Sequence, residues 1–207
     1  SRGAVYLSMN DPRNAIGSAS EAIDLDRRNP AGYLLRAEAY LRERQPAFAL
    51  GDMDEAIQMA PGVARLYLVR AYANMALDRT KPALADARAA LKIEPELVSA
   101  YLVRTSIYMK SKQFARAAAD AGRAMQLAPK DRLSLDAGAV AFTEIVQFDK
   151  AKTAADALVT LQPNNADALN ARCWVIALTP DPEAALPDCD AAIAADPKHF
   201  QAHDSRA

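Results

Sequence analysis

The sequence predicts an all-α protein, a solenoid of stacked helix-turn-helix units, on two observations. The first is a period of 34 residues. Stepping by that interval from Arg2 lands on Arg36, Arg70, Arg104, Gly138, Arg172 and Arg206. From Ala15 the step gives Ala49, Ala83, Ala117, Ala151 and Ala185; from Ala22 it gives Ala56, Ala90, Ala124, Leu158 and Ala192. From Pro61 it gives Pro95, Pro129, Pro163 and Pro197. Columns that keep phase along the chain identify repeats of one supersecondary unit. The second observation is the apolar spacing inside a unit. Tyr101, Leu102, Ile107 and Tyr108, then Phe114, Ala117, Ala121, Ala124 and Met125, follow the three- and four-residue steps of one helix face.

The units follow in order. A partial unit covers 1–29, five units cover 30–63, 64–97, 98–131, 132–165 and 166–199, and residues 200–207 begin a further helix. Each unit reads as two helices with a polar break between them, such as "KSKQ" at Lys110 to Gln113. The proline column ends the second helices, because proline lacks an N–H and clashes with the preceding turn. Asp131 and Asn165 are placed to cap the first helices that follow them. Pro12, Pro46 and Pro182 open second helices, where the missing donor costs nothing. The alanine column marks the crossing point of the two helices, since small side chains let the axes approach. Helix propensity alone explains alanine enrichment but not its phase.

Composition narrows the function. Of 207 residues 51% are hydrophobic, many of them alanine, and only 6% are aromatic, which suits thin, closely packed helices better than one thick core. The net charge of -1 gives no general attraction to nucleic acid or to an anionic membrane. No apolar run approaches the ~18 residues of a membrane span, so no membrane insertion is expected. There is no glycine-rich phosphate loop and no serine or cysteine nucleophile with a plausible histidine. No catalytic residue, cofactor or metal is therefore expected. His199 and His203 share a helix face as metal-binding pairs do, but no third ligand accompanies them. The chain opens on "SRGAVY" without an initiator methionine and stops inside a repeat, so a longer parent chain is expected.

The columns resemble the tetratricopeptide repeat family along essentially the whole chain. That motif asks for an aromatic at its fourth position, matched by Tyr33, Tyr67 and Tyr101. It asks for a small residue at the eighth (Gly3, Ala37, Ala71, Ala139) and an aromatic at the eleventh (Tyr6, Tyr40, Tyr108, Phe142). Its two alanines and its proline are the columns above. Leu158, Asn74 and Arg27 depart from it. In the unit after Asn165, Cys173 and Cys189 take positions that face each other across one hairpin. Two small buried thiols are the simpler reading. A disulfide is the alternative, and it would imply an oxidising compartment. Cytoplasmic and periplasmic locations both stay open.

The arginine column stands where the family usually has leucine. Sixteen residues after Arg36, Arg70, Arg104 and Arg172 come Asp52, Asp86, Asp120 and Asp188, whereas Gly138 is followed by Ala154. Joint presence and joint absence predict a partly buried ion pair inside each hairpin, with Ser18 as a weaker partner for Arg2.

The resemblance implies a right-handed superhelix whose first helices line a concave groove. Groove positions hold Leu34, Glu38, Leu41 and Arg42 in one unit, and Arg65, Leu68, Tyr72 and Met75 in the next. Leu102, Met109 and Lys110 follow, then Asp136, Val140 and Glu144, then Asp167, Asn170 and Trp174. Leu34, Leu68 and Leu102 are expected either to form an apolar ladder for a ligand or to pack between units. Trp174 either stacks on a ligand or fills the hairpin end. Arg42, Arg65 and Lys110 against Glu38 make the front mildly basic, and Asp136, Glu144 and Asp167 make the back acidic, which would orient a peptide. The lysine and asparagine clamp of the chaperone-binding members is missing. The expected function is a non-catalytic protein-interaction scaffold for a peptide or partner protein, from a bacterium if the alanine and arginine content is a guide. The alternatives are a repeat segment of a larger enzyme or assembly factor, or self-association through open repeat ends.

Overall fold

The computed structural model describes residues 2–206, and every regular element in them is helical. The helices are α1 (Arg2–Ser8), α2 (Pro12–Leu25), α3 (Pro30–Arg42), α4 (Pro46–Met59), α5 (Ala64–Ala76), α6 (Thr80–Ile93) and α7 (Val98–Lys110). They continue as α8 (Phe114–Leu127), α9 (Arg132–Glu144), α10 (Phe148–Leu161), α11 (Ala166–Ala177), α12 (Leu186–Ala195) and α13 (Phe200–Arg206). Contacts divide the chain into two compact units, one ending at Ile107 and one beginning at Tyr108. Within each, consecutive helices pack as neighbours, α3 on α4 and α5 on α6 in the first, α9 on α10 and α11 on α12 in the second.

Local chemistry sets the helix ends. Asn29 accepts from the Ala31 N–H at 3.0 Å, Asp131 from Ser134 at 2.8 Å and Asn165 from Ala168 at 3.0 Å, each capping the helix it precedes. In the first alanine column Ala15, Ala49, Ala83, Ala117 and Ala151 have no exposed surface. In the first unit Met53, Ala56, Leu66 and Val69 form one apolar cluster, and Leu68, Ala87, Val103 and Ile107 belong to another. Burying a side chain such as Met53 or Leu66 is worth roughly 1.5–3 kcal/mol. In the second unit Leu135, Leu158 and Ala168 close around Met125.

The turn after each first helix uses one left-handed residue. It is Asn10, Arg44 and Asp78 (φ 57°), Lys112 (φ 55°) and Val146 (φ 61°), again at the repeat interval. Left-handed backbone costs an L-residue roughly 1–2 kcal/mol, and a β-branched side chain suffers most. Val146 is also 69% exposed, so it gains little from packing. Val146→Asn is expected to stabilise the chain by about 1 kcal/mol, read by urea unfolding. The next position in this series is Pro180, whose ring fixes φ near −65° and forbids the turn. The chain there runs instead into a 3₁₀ turn at Pro182–Ala185, and α12 starts only at Leu186. Pro182 thus opens a 3₁₀ turn and not an α-helix as its spacing suggested.

Arg36, Arg70 and Arg172 hold their aspartates with two nitrogens each, as expected, and each of the three also does more. Arg36 donates to Asp52 from Nε (2.9 Å) and Nη2 (2.7 Å), and Arg172 to Asp188 from the same atoms (2.7 and 2.6 Å). Arg70 holds Asp86 with Nη2 at 2.7 Å. These hydrogen bonds hold all three guanidiniums above their usual pKa range, against the opposing effect of burial. The remaining Nη1 reaches back to the preceding second helix: Arg36 to Ser20 (3.1 Å), Arg70 to Asp54 (2.7 Å), Arg172 to Asp156 (3.4 Å). The expected pair inside the hairpin is thus joined by a contact to the helix before it. One planar fork staples a hairpin and ties it to its predecessor.

The neighbouring residues serve the same end. Tyr33, Tyr67 and Tyr101 donate to the carbonyls of Arg27, Pro61 and Pro95, fastening the preceding turn. Their rings lie under Arg36, Arg70 and Arg104 at 5.8, 5.7 and 5.5 Å. Asn74, the departure from an aromatic, is buried and donates from Nδ2 to Asp86 at 3.0 Å. Where the arginine is missing, a Cβ on Gly138 would meet Met125 Sδ at 2.1 Å, so a methionine side chain fills the space.

Cys173 and Cys189 are joined as a disulfide linking α11 to α12, and no free cysteine is present. The simpler expectation of two free thiols is thus corrected. Both positions are buried and face each other across the hairpin, which is the geometry a bridge needs.

Candidate functional site

In the first unit most of the expected groove residues are engaged in holding the helices. Leu68 is buried in an apolar cluster at 8% exposure, and Met75 packs against that cluster. Leu34 and Leu41 pack on the neighbouring cluster, and Leu102 is half-buried. The leucine ladder is mainly packing. The basic front is largely spent as well: Arg65 donates to Glu38 from Nε (2.9 Å) and Nη2 (2.7 Å), and Arg42 donates to the Leu7 carbonyl. Tyr72 stays 40% exposed, with its phenol pKa pushed up by burial of the hydroxyl end.

The second unit differs. A pocket of about 610 Å³ opens on the first helices α9, α11 and α13. Five expected residues meet in it: Asp136 and Val140 from α9, and Asp167, Asn170 and Trp174 from α11. Met109, Lys110 and Glu144 do not line it. Arg132, Gln201, Asp204 and Ser205 also line it and were missed. The signal for two of them was in the sequence. Gln201 is one repeat beyond Asp167, and Asp204 one repeat beyond Asn170 and two beyond Asp136.

The pocket's chemistry is acceptor-rich. Burial, reinforced by repulsion from Asp167 and opposed by Arg132, pushes the Asp136 carboxyl above its usual pKa. Asp136 is nevertheless an exposed residue, so protein lies beside its carboxylate and does not enclose it. Asp167 takes a 2.9 Å hydrogen bond from His199 Nε2, while His199 Nδ1 accepts from the Ala202 N–H at 3.1 Å at the start of α13. These bonds fix the imidazole tautomer with its proton on Nε2. His203 lies against the Pro197 carbonyl at 3.1 Å, the role of tyrosine in other repeats. No group of three metal-ligating side chains occurs among the described residues.

An acid whose pKa is raised in the folded state binds more protons folded than unfolded. Its contribution favours folding at acid pH and is lost as pH rises through the raised value. Asp136→Asn is accordingly expected to leave thermal stability at neutral pH undiminished or slightly increased, and to shrink that gain in acid. A clear loss at neutral pH would show that the carboxylate is structural.

A tetratricopeptide repeat model matches residues 2–64 and 146–200, more than half of the chain. No curated protein matches the sequence. Among solved structures the chain is similar to PilW, a type IV pilus biogenesis factor, at TM-score 0.85 and 20% identity over 98% of this chain and 94% of that one. It is similar to pilF of Pseudomonas aeruginosa at TM-score 0.84 and 15% identity, over 98% and 92%. YrrB, a TPR protein with an unusual peptide-binding site, superposes at TM-score 0.74 and 21% identity, over 91% and 97%. At such identities these likenesses establish the helical-repeat fold alone. No helix among the described residues is long and apolar enough to cross a membrane.

Proposed function

The chain belongs to the tetratricopeptide repeat family, and from that premise we propose that it is a non-catalytic scaffold that holds a peptide or partner protein against its first helices. The observation that carries this reading is the pocket in the second unit. It is lined by α9, α11 and α13, with no residue from a second helix. Units that contact only their neighbours make extended surfaces more readily than sealed catalytic cavities. Mixed apolar and polar lining, here Val140 and Trp174 beside Asp136 and Asn170, is the usual make-up of a recognition site. The peptide-binding site of YrrB, on a similar fold, supports the same reading.

Selection of peptides from a random display library on the intact chain tests it. Selected peptides are expected to lose about tenfold or more in affinity on Trp174→Ala, as loss of an interface aromatic commonly does. A Tyr72→Ala variant, in the first unit, reports whether that surface takes part. Leu68 is unsuitable for such a test because its substitution would disturb the core. Peptides that bind both variants like the parent would end the first-helix reading.

A further inference from the structure

Resting on that reading, we propose that the Cys173–Cys189 bridge is a redox-sensitive clamp on the second-unit pocket. The oxidised pair holds the peptide-binding wall together, and reduction to two thiols opens it. The bridge ties α11 to α12, and α13 packs against both of those helices. Helices α11 and α13 supply most of the pocket, Asp167, Asn170 and Trp174 from one and Gln201, Asp204 and Ser205 from the other. The two sulfurs reach both contributors. Cys173 immediately precedes Trp174 in the chain, and Cys189 Sγ lies 3.9 Å from the carbonyl of Ser205.

Packing alone does not require sulfur here. Ala71 and Ala87 hold the two equivalent positions in α5–α6, and Ala139 and Ala155 hold them in α9–α10, all four buried. What the cysteines add in α11–α12 is the bond. The apolar cluster at that level is small: its buried members among the described residues are Cys173, Ala185 and Cys189, so the bridge itself makes up most of it. A short loop closed covalently restricts the opened states of the hairpin, which is how a disulfide favours the closed one. The Arg172–Asp188 pair spans the same hairpin and survives reduction. The expected change is therefore a local opening of α12 and α13, with α9 and α10 intact.

In reduction a thiolate of a dithiol attacks one bridge sulfur, the Cys173–Cys189 bond breaks, and the other cysteine leaves as a thiolate and takes up a proton. The second thiol of the reductant then displaces the first cysteine and closes the reductant's own disulfide, so two electrons and two protons pass to the protein. Both cysteines are buried, so attack waits for the hairpin to open. A ligand that binds the closed pocket accordingly protects the bridge, by the same factor with which the bridge favours the ligand.

The test uses the intact chain and a peptide selected on its oxidised form from the random library, one whose binding falls on Trp174→Ala. Reduction with dithiothreitol, oxygen excluded, is expected to weaken that peptide about tenfold or more, a fraction of the shift such a bridge can sustain. The Cys173→Ala, Cys189→Ala double variant is expected to bind as weakly, with or without reductant, and glutathione disulfide is expected to restore the parent. In a glutathione redox buffer, saturating peptide is expected to move the midpoint of reduction to more reducing conditions by the same ratio of affinities. Amide exchange in the reduced chain is expected to quicken in α12 and α13 and to stay unchanged in α9 and α10. Equal affinity of the oxidised and reduced chains would overturn the clamp and leave the scaffold reading standing. A loss of affinity with equally quickened exchange in α9 and α10 would also overturn it, because the unit would then have unfolded as a whole. Failure to select any peptide that depends on Trp174 would remove the scaffold reading itself, and the clamp with it.

Discussion

Arg70→Ala is expected to destabilise the α5–α6 hairpin by about 3 kcal/mol, the scale for removing one partner of a buried pair. The substitution strands Asp86, whose side chain is only 7% exposed, with Asn74 as the remaining side-chain donor among the described residues. It also cuts the link to Asp54 on α4. Arg70 itself is 25% exposed, which places the cost toward the lower end of the buried range. A double-mutant cycle with Asp86→Ala separates the pair from its surroundings. Coupling well above 1 kcal/mol is expected, beyond the level of surface pairs. A cycle with Asp54→Ala should give less, because Asp54 is 59% exposed. Independent effects of Arg70 and Asp86 would contradict the staple.

Reduction of the Cys173–Cys189 disulfide is the other large effect. Closing a loop of this length, with partners 16 residues apart, constrains the unfolded chain by about 3 kcal/mol. The cost falls on the α11–α12 hairpin, whose second helix begins late, after the 3₁₀ turn. The Trp174 unfolding midpoint is expected to drop on reduction. The Cys173→Ala, Cys189→Ala double variant should behave like the reduced protein. Two repeats earlier alanine holds one of these positions, and Ala71 and Ala87 occupy both in the α5–α6 hairpin, fully buried, so alanine is sterically acceptable there. Thiol titration of the denatured, unreduced chain should find none. Two reactive thiols would contradict the bridge.

The sequence was most informative where periodicity and chemistry coincide. Arg36 and Asp52 were legible as partners because a guanidinium and a carboxylate recur at one fixed interval and vanish together at Gly138 and Ala154. The backward reach to Ser20, Asp54 and Asp156 was harder to read, because Arg88 and Gly122 interrupt that column and because it required knowing that one Nη remains free after the first pair forms. The left-handed turn was hidden because Asn10, Arg44, Asp78, Lys112 and Val146 share a backbone conformation and no side-chain type. Leu68 stayed undecided between groove and packing for a physical reason as well. A repeat position predicts direction, whereas burial depends on how closely the adjacent helix packs. The pocket was half legible: Asp136, Val140, Asn170 and Trp174 converge as their positions suggested, but the share of the short α13 was left unread.

Amide hydrogen exchange with and without a library-selected peptide tests the central claim most directly, since it maps the occupied surface helix by helix. The account predicts slowed exchange concentrated in α9, α11 and α13, with α10 and α12 little changed. Slowing confined to the second helices α10 and α12, with α9 and α11 unaffected, would contradict it.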